Sequence, residues 1–148
     1  MPDKIKLTYE ELGLMSIFQN VSGAMARDCV IDDKDDRVIF VVNSGEMGLA
    51  IGKSGQSIKN VQRAIGKSVE LVEYSDDVKV FISNALGPKF VEDIRLSEKL
   101  NGAKIATVVV DPRKKGAIVG RNGRNAEKAR LLAKRYFEID TIHILPAQ

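Results

Sequence analysis

The chain has 148 residues, 44% of them hydrophobic, enough to pack one ordinary domain or two small ones. Its single cysteine, Cys29, and single histidine, His143, exclude a disulfide framework and a Cys/His zinc site, and they leave no nucleophilic triad except one built on His143. The formal charge is only +3, but residues 1–74 carry 9 Lys/Arg against 11 Asp/Glu while residues 75–148 carry 14 against 9. No apolar run approaches the ~20 residues that cross a bilayer, and no apolar segment follows the amino terminus. A soluble cytoplasmic protein is expected, a binding protein and not an enzyme, with no cofactor and no metal.

Thr8 with Glu11 three residues on forms a capping box, and Tyr9, Leu12 and Met15 give the helix it opens an apolar stripe. Residues 29–31 read as a short strand, turned by the acidic stretch 32–36 into a second strand over the β-branched run 38–42. A helix of one to two turns over 46–51 leads to Gly52-Lys53-Ser54-Gly55. The helix that leaves this loop has Ile58, Val61 and Ile65 at i, i+3, i+7 and is ended by Gly66. A strand over 69–73 follows. Ser75, with Asp76 and Asp77, caps a helix that turns Val78, Phe81, Ile82 and Ala85 inward and stops at Gly87 and Pro88. Strands over 90–96 and 106–110 are joined through Asn101-Gly102, a hairpin signal. A short helix over 114–119 then runs into Gly120-Arg121-Asn122-Gly123, followed by a helix burying Ala126, Ala129 and Ala133 and a β-rich run over 137–145.

The two halves repeat one another. Writing 38–71 over 106–139, an offset of 68 without a gap, places Val41, Val42, Gly48, Gly52, Gly55 and Glu70 on Val109, Val110, Gly116, Gly120, Gly123 and Glu138. Lys53 falls on Arg121 and Lys67 on Arg135. The duplication gives two modules, 1–74 and 75–148, joined near Tyr74–Ser75 by almost no linker. Modules of this size bury little core alone, so close packing between them is expected.

The chemistry concentrates at the glycine pairs. Glycine permits the positive φ of a tight helix-to-helix turn and lets another backbone approach closely. Each loop opens a helix, whose unpaired amides and dipole favour anions, and each carries a cation, Lys53 or Arg121. Residues 112–135 add nine Lys/Arg against Glu127 alone. A charge run by itself is as readily a solvated face, but two matched loops beside it point to a polyanion. A nucleotide-binding P-loop is excluded: Gly52-Lys53-Ser54 would need glycine at 47, which is Met47, and the second copy has Arg121-Asn122 in place of Lys-Ser/Thr.

Helix–Gly-x-x-Gly–helix, twice over, resembles the KH RNA-binding module, which clamps about four nucleotides against this loop. The element order is similar to the type II arrangement, implying an α+β fold of two tandem type II KH domains. The junction Val69-Glu70-Leu71-Val72-Glu73-Tyr74-Ser75-Asp76-Asp77, with Phe81 and Asn84-Ala85-Leu86-Gly87-Pro88, resembles the segment between the KH modules of the NusA family, and the whole chain its short archaeal form. Nothing in these residues corresponds to the polymerase-binding and OB-fold domains of the bacterial form.

The resemblance implies a monomeric factor that grips nascent single-stranded RNA in transcription termination or antitermination, with RNA polymerase as a further partner and no membrane. In the first module it implies RNA contacts from Ile51, Gly52, Lys53, Ser54, Gly55, Lys59 and Arg63. In the second it implies Lys114, Lys115, Val119, Gly120, Arg121, Asn122, Gly123, Arg124 and Lys128. A KH factor for ribosomal RNA maturation or the exosome, and a protein-binding scaffold, are the alternatives. Only the junction separates the RNA roles, and the basic helix opposes the scaffold. Cys29 is expected in the core, His143 on an outer strand face, and the Asp32–Asp36 stretch as a solvated turn.

Overall fold

The computed structural model describes residues 5–148; residues 1–4 of the expected first module lie outside that range. The chain runs α1 (Tyr9–Ser22), β1 (Ala26–Asp32), β2 (Arg37–Val42), α2 (Met47–Ile51), α3 (Gln56–Ile65) and β3 (Ser68–Glu73). It continues as α4 (Val78–Leu86), β4 (Val91–Glu98), β5 (Lys104–Val110), α5 (Lys115–Val119), α6 (Arg124–Phe137) and β6 (Thr141–Pro146). Two compact units result, one spanning 6–74 and the other built on 75–148. Each is α-β-β-α-α-β, the type II KH order. Among the described residues no helix is long and apolar enough to cross a membrane.

In the first unit, β1 and β2 pair antiparallel and β2 and β3 parallel, with Val38 facing Ile31 on one side and Val69 on the other. A parallel pair needs a crossover, and α2, the glycine loop and α3 supply it, so the loop sits beyond the carboxyl end of β2. The core joins Val38, Phe40 and Val42 of β2 to Cys29, Ala50, Val61, Val69 and Phe18. Phe18 stacks on Phe40 with ring centroids 4.5 Å apart. The capping box forms, Thr8 and Glu11 each accepting the other's backbone N–H. The apolar stripe of α1, however, is Leu14, Met15 and Phe18; Tyr9 is 95% and Leu12 48% exposed. The first turn of the helix lies outside the contact zone, so its apolar residues are not drawn in.

Residues 33–36 form the expected turn, exposed at Asp33, Lys34 and Asp36, but Asp32 and Asp35 are partly buried against Arg37. The fully buried Arg37 side chain donates to Asp32 (2.8 Å) and Glu70 (3.0 Å) and lies 3.6 Å from Asp35. Burial disfavours the guanidinium charge, but the bonds to Asp32 and Glu70 together outweigh it and hold Arg37 above its ordinary pKa. Three carboxylates around one arginine satisfy its donor fork, which a buried cation requires.

In the second unit, β5 lies between an antiparallel β4 and a parallel β6. Ala106, Val108 and Val110 alternate inward and meet Ile94, Ile142 and Ile144 of the flanking strands. Ala126, Ala129 and Ala133 are buried on α6, and their small size lets the helix backbone come close. Asp77 caps α4, accepting from Lys79 and Val80 N–H, while Ser75 Oγ accepts the N–H of Asp77. Phe90 belongs to a turn, Pro88–Phe90, ahead of β4.

The gap-free repeat holds only over its middle. Val38 and Ala106 are central-strand equivalents, but their parallel partners are Val69 and Ile142, so the second module has five more residues between its loop and β6, four of them within α6. The structural counterpart of Glu70 is His143, not Glu138. The run 137–145 is therefore not one strand: α6 is four residues longer than α3 and takes in Phe137. Gly66 ends α3 at φ 80°, whereas α6 continues because Tyr136 and Phe137 pack edge-on against Phe81, at 5.3 and 5.6 Å. It ends at Glu138, in a left-handed conformation with φ 58°. Outside the aligned core a second repeated device appears: β1 and β4 both bulge, and Asp28 and Asp93 each accept the next residue's N–H there.

Candidate nucleic-acid interface

Each loop begins where its short helix ends, with Gly52 N–H bonded to Gly48 O and Gly120 N–H to Gly116 O, both 2.9 Å. The backbones then coincide. Gly52 and Gly120 adopt φ/ψ of 77°/173° and 84°/168°, a region open essentially to glycine alone. Ser54 and Asn122 are left-handed at φ 55° and 56°, and Gly55 and Gly123 at 74°. A Cβ on Gly52 would lie 2.7 Å from Ser57 N, and one on Gly120 2.9 Å from Asn125 Cβ. The first glycine of each pair is thus required twice over, by conformation and by contact.

Lys53 and Ser54, and Arg121 and Asn122, are exposed at the crests. Gly55 and Gly123 occupy the N-cap positions of α3 and α6 and supply no side-chain cap; the first helical amides, of Gln56 and Arg124, instead bond the Lys53 and Arg121 carbonyls. An outward cation at a helix start that has no capping side chain suits a phosphate.

The other expected contacts are distributed unevenly. Ile51 is exposed beside the first loop, and Lys59 and Arg63 are exposed at i, i+4 on α3. Their counterparts on α6 are Glu127 and Leu131, so the second helix does not repeat this cationic face. Lys114 and Lys115 are exposed at the start of α5; Val119, Gly120, Gly123 and Arg124 are half-buried. Lys128 is only 8% exposed and offers little to a ligand.

Nor are the nine cations of 112–135 all available. Arg113 bonds Asp111, Arg130 lies 3.5 Å from Glu127, and Lys134 bonds Asp140. The Arg113 hydrogen bonds hold the Asp111 carboxyl below its ordinary pKa, and the Lys134 hydrogen bond does the same for Asp140. The asymmetry near the loops survives this pairing. Glu46, at the N-cap of α2, accepts the Met25 N–H at 3.1 Å, whereas its counterpart Lys114 lies 5.3 Å over the Phe90 ring. Phe90 and Asn125, which touch this region, escaped the sequence reading. The only sign of Asn125 was a polar residue at both 57 and 125, five positions after the first glycine. Cys29 is buried in the first core, and His143 is exposed on β6.

Comparison with known proteins agrees with this geometry. A family model described as "KH domain" matches residues 14–89, from α1 through the first loop and past the end of α4. The "Probable transcription termination protein NusA" of Halococcus morrhuae is 40% identical over 141 residues, 95% of this chain and 99% of that one. The protein of that name from Halobacterium salinarum is 39% identical, over 95% and 98% of the two chains. Among solved structures, the crystal structure of APE1850 superposes with a TM-score of 0.83 at 36% identity, covering 93% of this chain and 99% of that one. With two KH folds in tandem and near full-length similarity of this order, the chain belongs to the NusA family of KH-domain transcription termination proteins.

Proposed function

We propose that the chain binds single-stranded RNA through both glycine loops and acts on the nascent transcript in transcription termination or antitermination. The observation that carries this reading is the duplicated loop: two copies of one glycine-dependent backbone, each presenting a cation at its crest and opening a helix that has no side-chain cap. The contacts assigned to the first module, 1–74, are Ile51, the loop 52–55, Lys59 and Arg63. Those assigned to the second module, 75–148, are Lys114, Lys115, Val119, the loop 120–123 and Arg124. Lys128 is left out because it is buried. With 5% aromatic residues and no tryptophan, the chain is poor material for base-stacking platforms, which favours backbone clamping with aliphatic contacts to the bases.

The test is a titration of the full chain with a single-stranded RNA and with a duplex of equal length. Single-stranded RNA binds more tightly, because paired and stacked bases cannot be splayed out for contact with the protein. Equal affinity for the two would overturn the reading.

A further inference from the structure

The two loops share a backbone but not a foundation. Asn125, the second residue of α6, packs its β-carbon beneath Gly120 and directs its side-chain amide at two helix ends. Its Nδ2 donates to Ile118 O at 2.6 Å and to Leu86 O at 2.9 Å. Those carbonyls belong to the last turns of α5 and α4, where backbone acceptors have no partner within their own helix. One amide group, with two donors, thereby ties together the three helices that meet at the second loop.

The first unit has no such tie. Ser57 packs beneath Gly52 in the same way, yet its hydroxyl bonds neither helix end among the described residues. A hydroxyl has a single donor and could not reach two carbonyls at once. The end of α1 is closed on itself instead, Ser22 Oγ donating to Phe18 O and accepting from Ala24 N–H.

We propose that Asn125 is a positioning residue that holds the second glycine loop in its phosphate-binding form, so that this loop is preorganised while the first must be ordered by its ligand. The proposal rests on RNA binding by the loops, but the positioning itself is measured without RNA. Displacing the second loop breaks two hydrogen bonds to neighbouring helices; displacing the first breaks none of this kind. Where a binding form is only partly populated, apparent affinity falls by that fraction.

The experiment compares the parent chain with Asn125→Ser, which installs the residue of the first loop. Amide hydrogen exchange is followed by NMR on the full chain, and RNA affinity is read in a background carrying Lys53→Asp/Ser54→Asp, so that the second loop dominates. In the parent, amides of 120–123 exchange more slowly than those of 52–55. In Asn125→Ser the two loops become alike while the interior of α6 keeps its protection. Affinity for single-stranded RNA falls about tenfold, as when the competent fraction drops to about a tenth. The salt dependence is unchanged, because no cation is removed.

Unchanged loop exchange in Asn125→Ser would overturn the proposal, as would loop exchange that rises only together with the whole of α6. Failure of the underlying RNA reading looks different: Arg121→Asp/Asn122→Asp leaves RNA binding intact while the exchange result stands. If Asn125→Ser does not fold, Asn125→Gln, which keeps the donors but displaces them by one methylene, is read by the same exchange criterion.

Discussion

Gly120 and Gly123 differ in what they tolerate. Gly120→Ala meets both a forbidden conformation and the backbone of α6, so it should cost about 2–3 kcal/mol of stability, and Gly52→Ala likewise. Gly123→Ala meets open space and only the left-handed penalty, about 1 kcal/mol. Chemical denaturation of the three single variants checks the ranking; equal losses at Gly120 and Gly123 would contradict it. Arg37→Ala should destabilise by about 3 kcal/mol, because Asp32, Asp35 and Glu70 lose the cation that they share, while Arg37→Lys retains part of the pairing. The loop glycines were legible in the sequence because chain conformation at these positions depends on residue type alone. Arg37 was not: a lone arginine between an acidic run and an apolar run looks like the edge of a loop, and its three partners converge only when β3 is paired beside β2.

The elements that sequence placed well are those with local signals: the capping box of α1, the glycine stop of α3, the hairpin turn at Asn101-Gly102. The length of α6 was missed for the complementary reason. No glycine marks its end, and its last turn is held by contacts of Tyr136 and Phe137 with Phe81 on another helix. Beyond that end, Asp140 accepts from Lys134 Nζ and from the Lys104 N–H, fastening the start of β6 to β5. Its carboxyl is held below the ordinary value chiefly by the Lys134 bond. A depressed carboxylate contributes stability above its unfolded pKa of about 4 and loses it as pH falls through the folded value. The thermal midpoint of Asp140→Asn should therefore lie below that of the parent at about pH 6, and the gap should close towards about pH 2–3. A gap independent of pH would show that the charge contributes nothing.

For the whole molecule, duplication was legible because β2 and β5, the loops and the starts of the helices beside them keep one spacing, while the outer strands drifted by insertion and lost it. Two cationic loops imply binding governed by phosphate charge. If about six phosphates are neutralised on a single strand, log K falls against log[salt] with a slope of about −4; a slope near zero would exclude electrostatic binding.

RNA recognition by these loops is tested most directly by reversing their charge without touching the glycines. Lys53→Asp/Ser54→Asp and Arg121→Asp/Asn122→Asp change only exposed crest residues, and aspartate tolerates both the left-handed position and a helix start. Each pair of substitutions should weaken single-stranded RNA binding by about 1–3 kcal/mol. The loss should be larger for the second loop, where Lys114 and Lys115 stand in place of Glu46 and Met47. Thermal midpoints should stay at the parent value. If both variants fold and still bind single-stranded RNA like the parent, the loops are turns and nothing more.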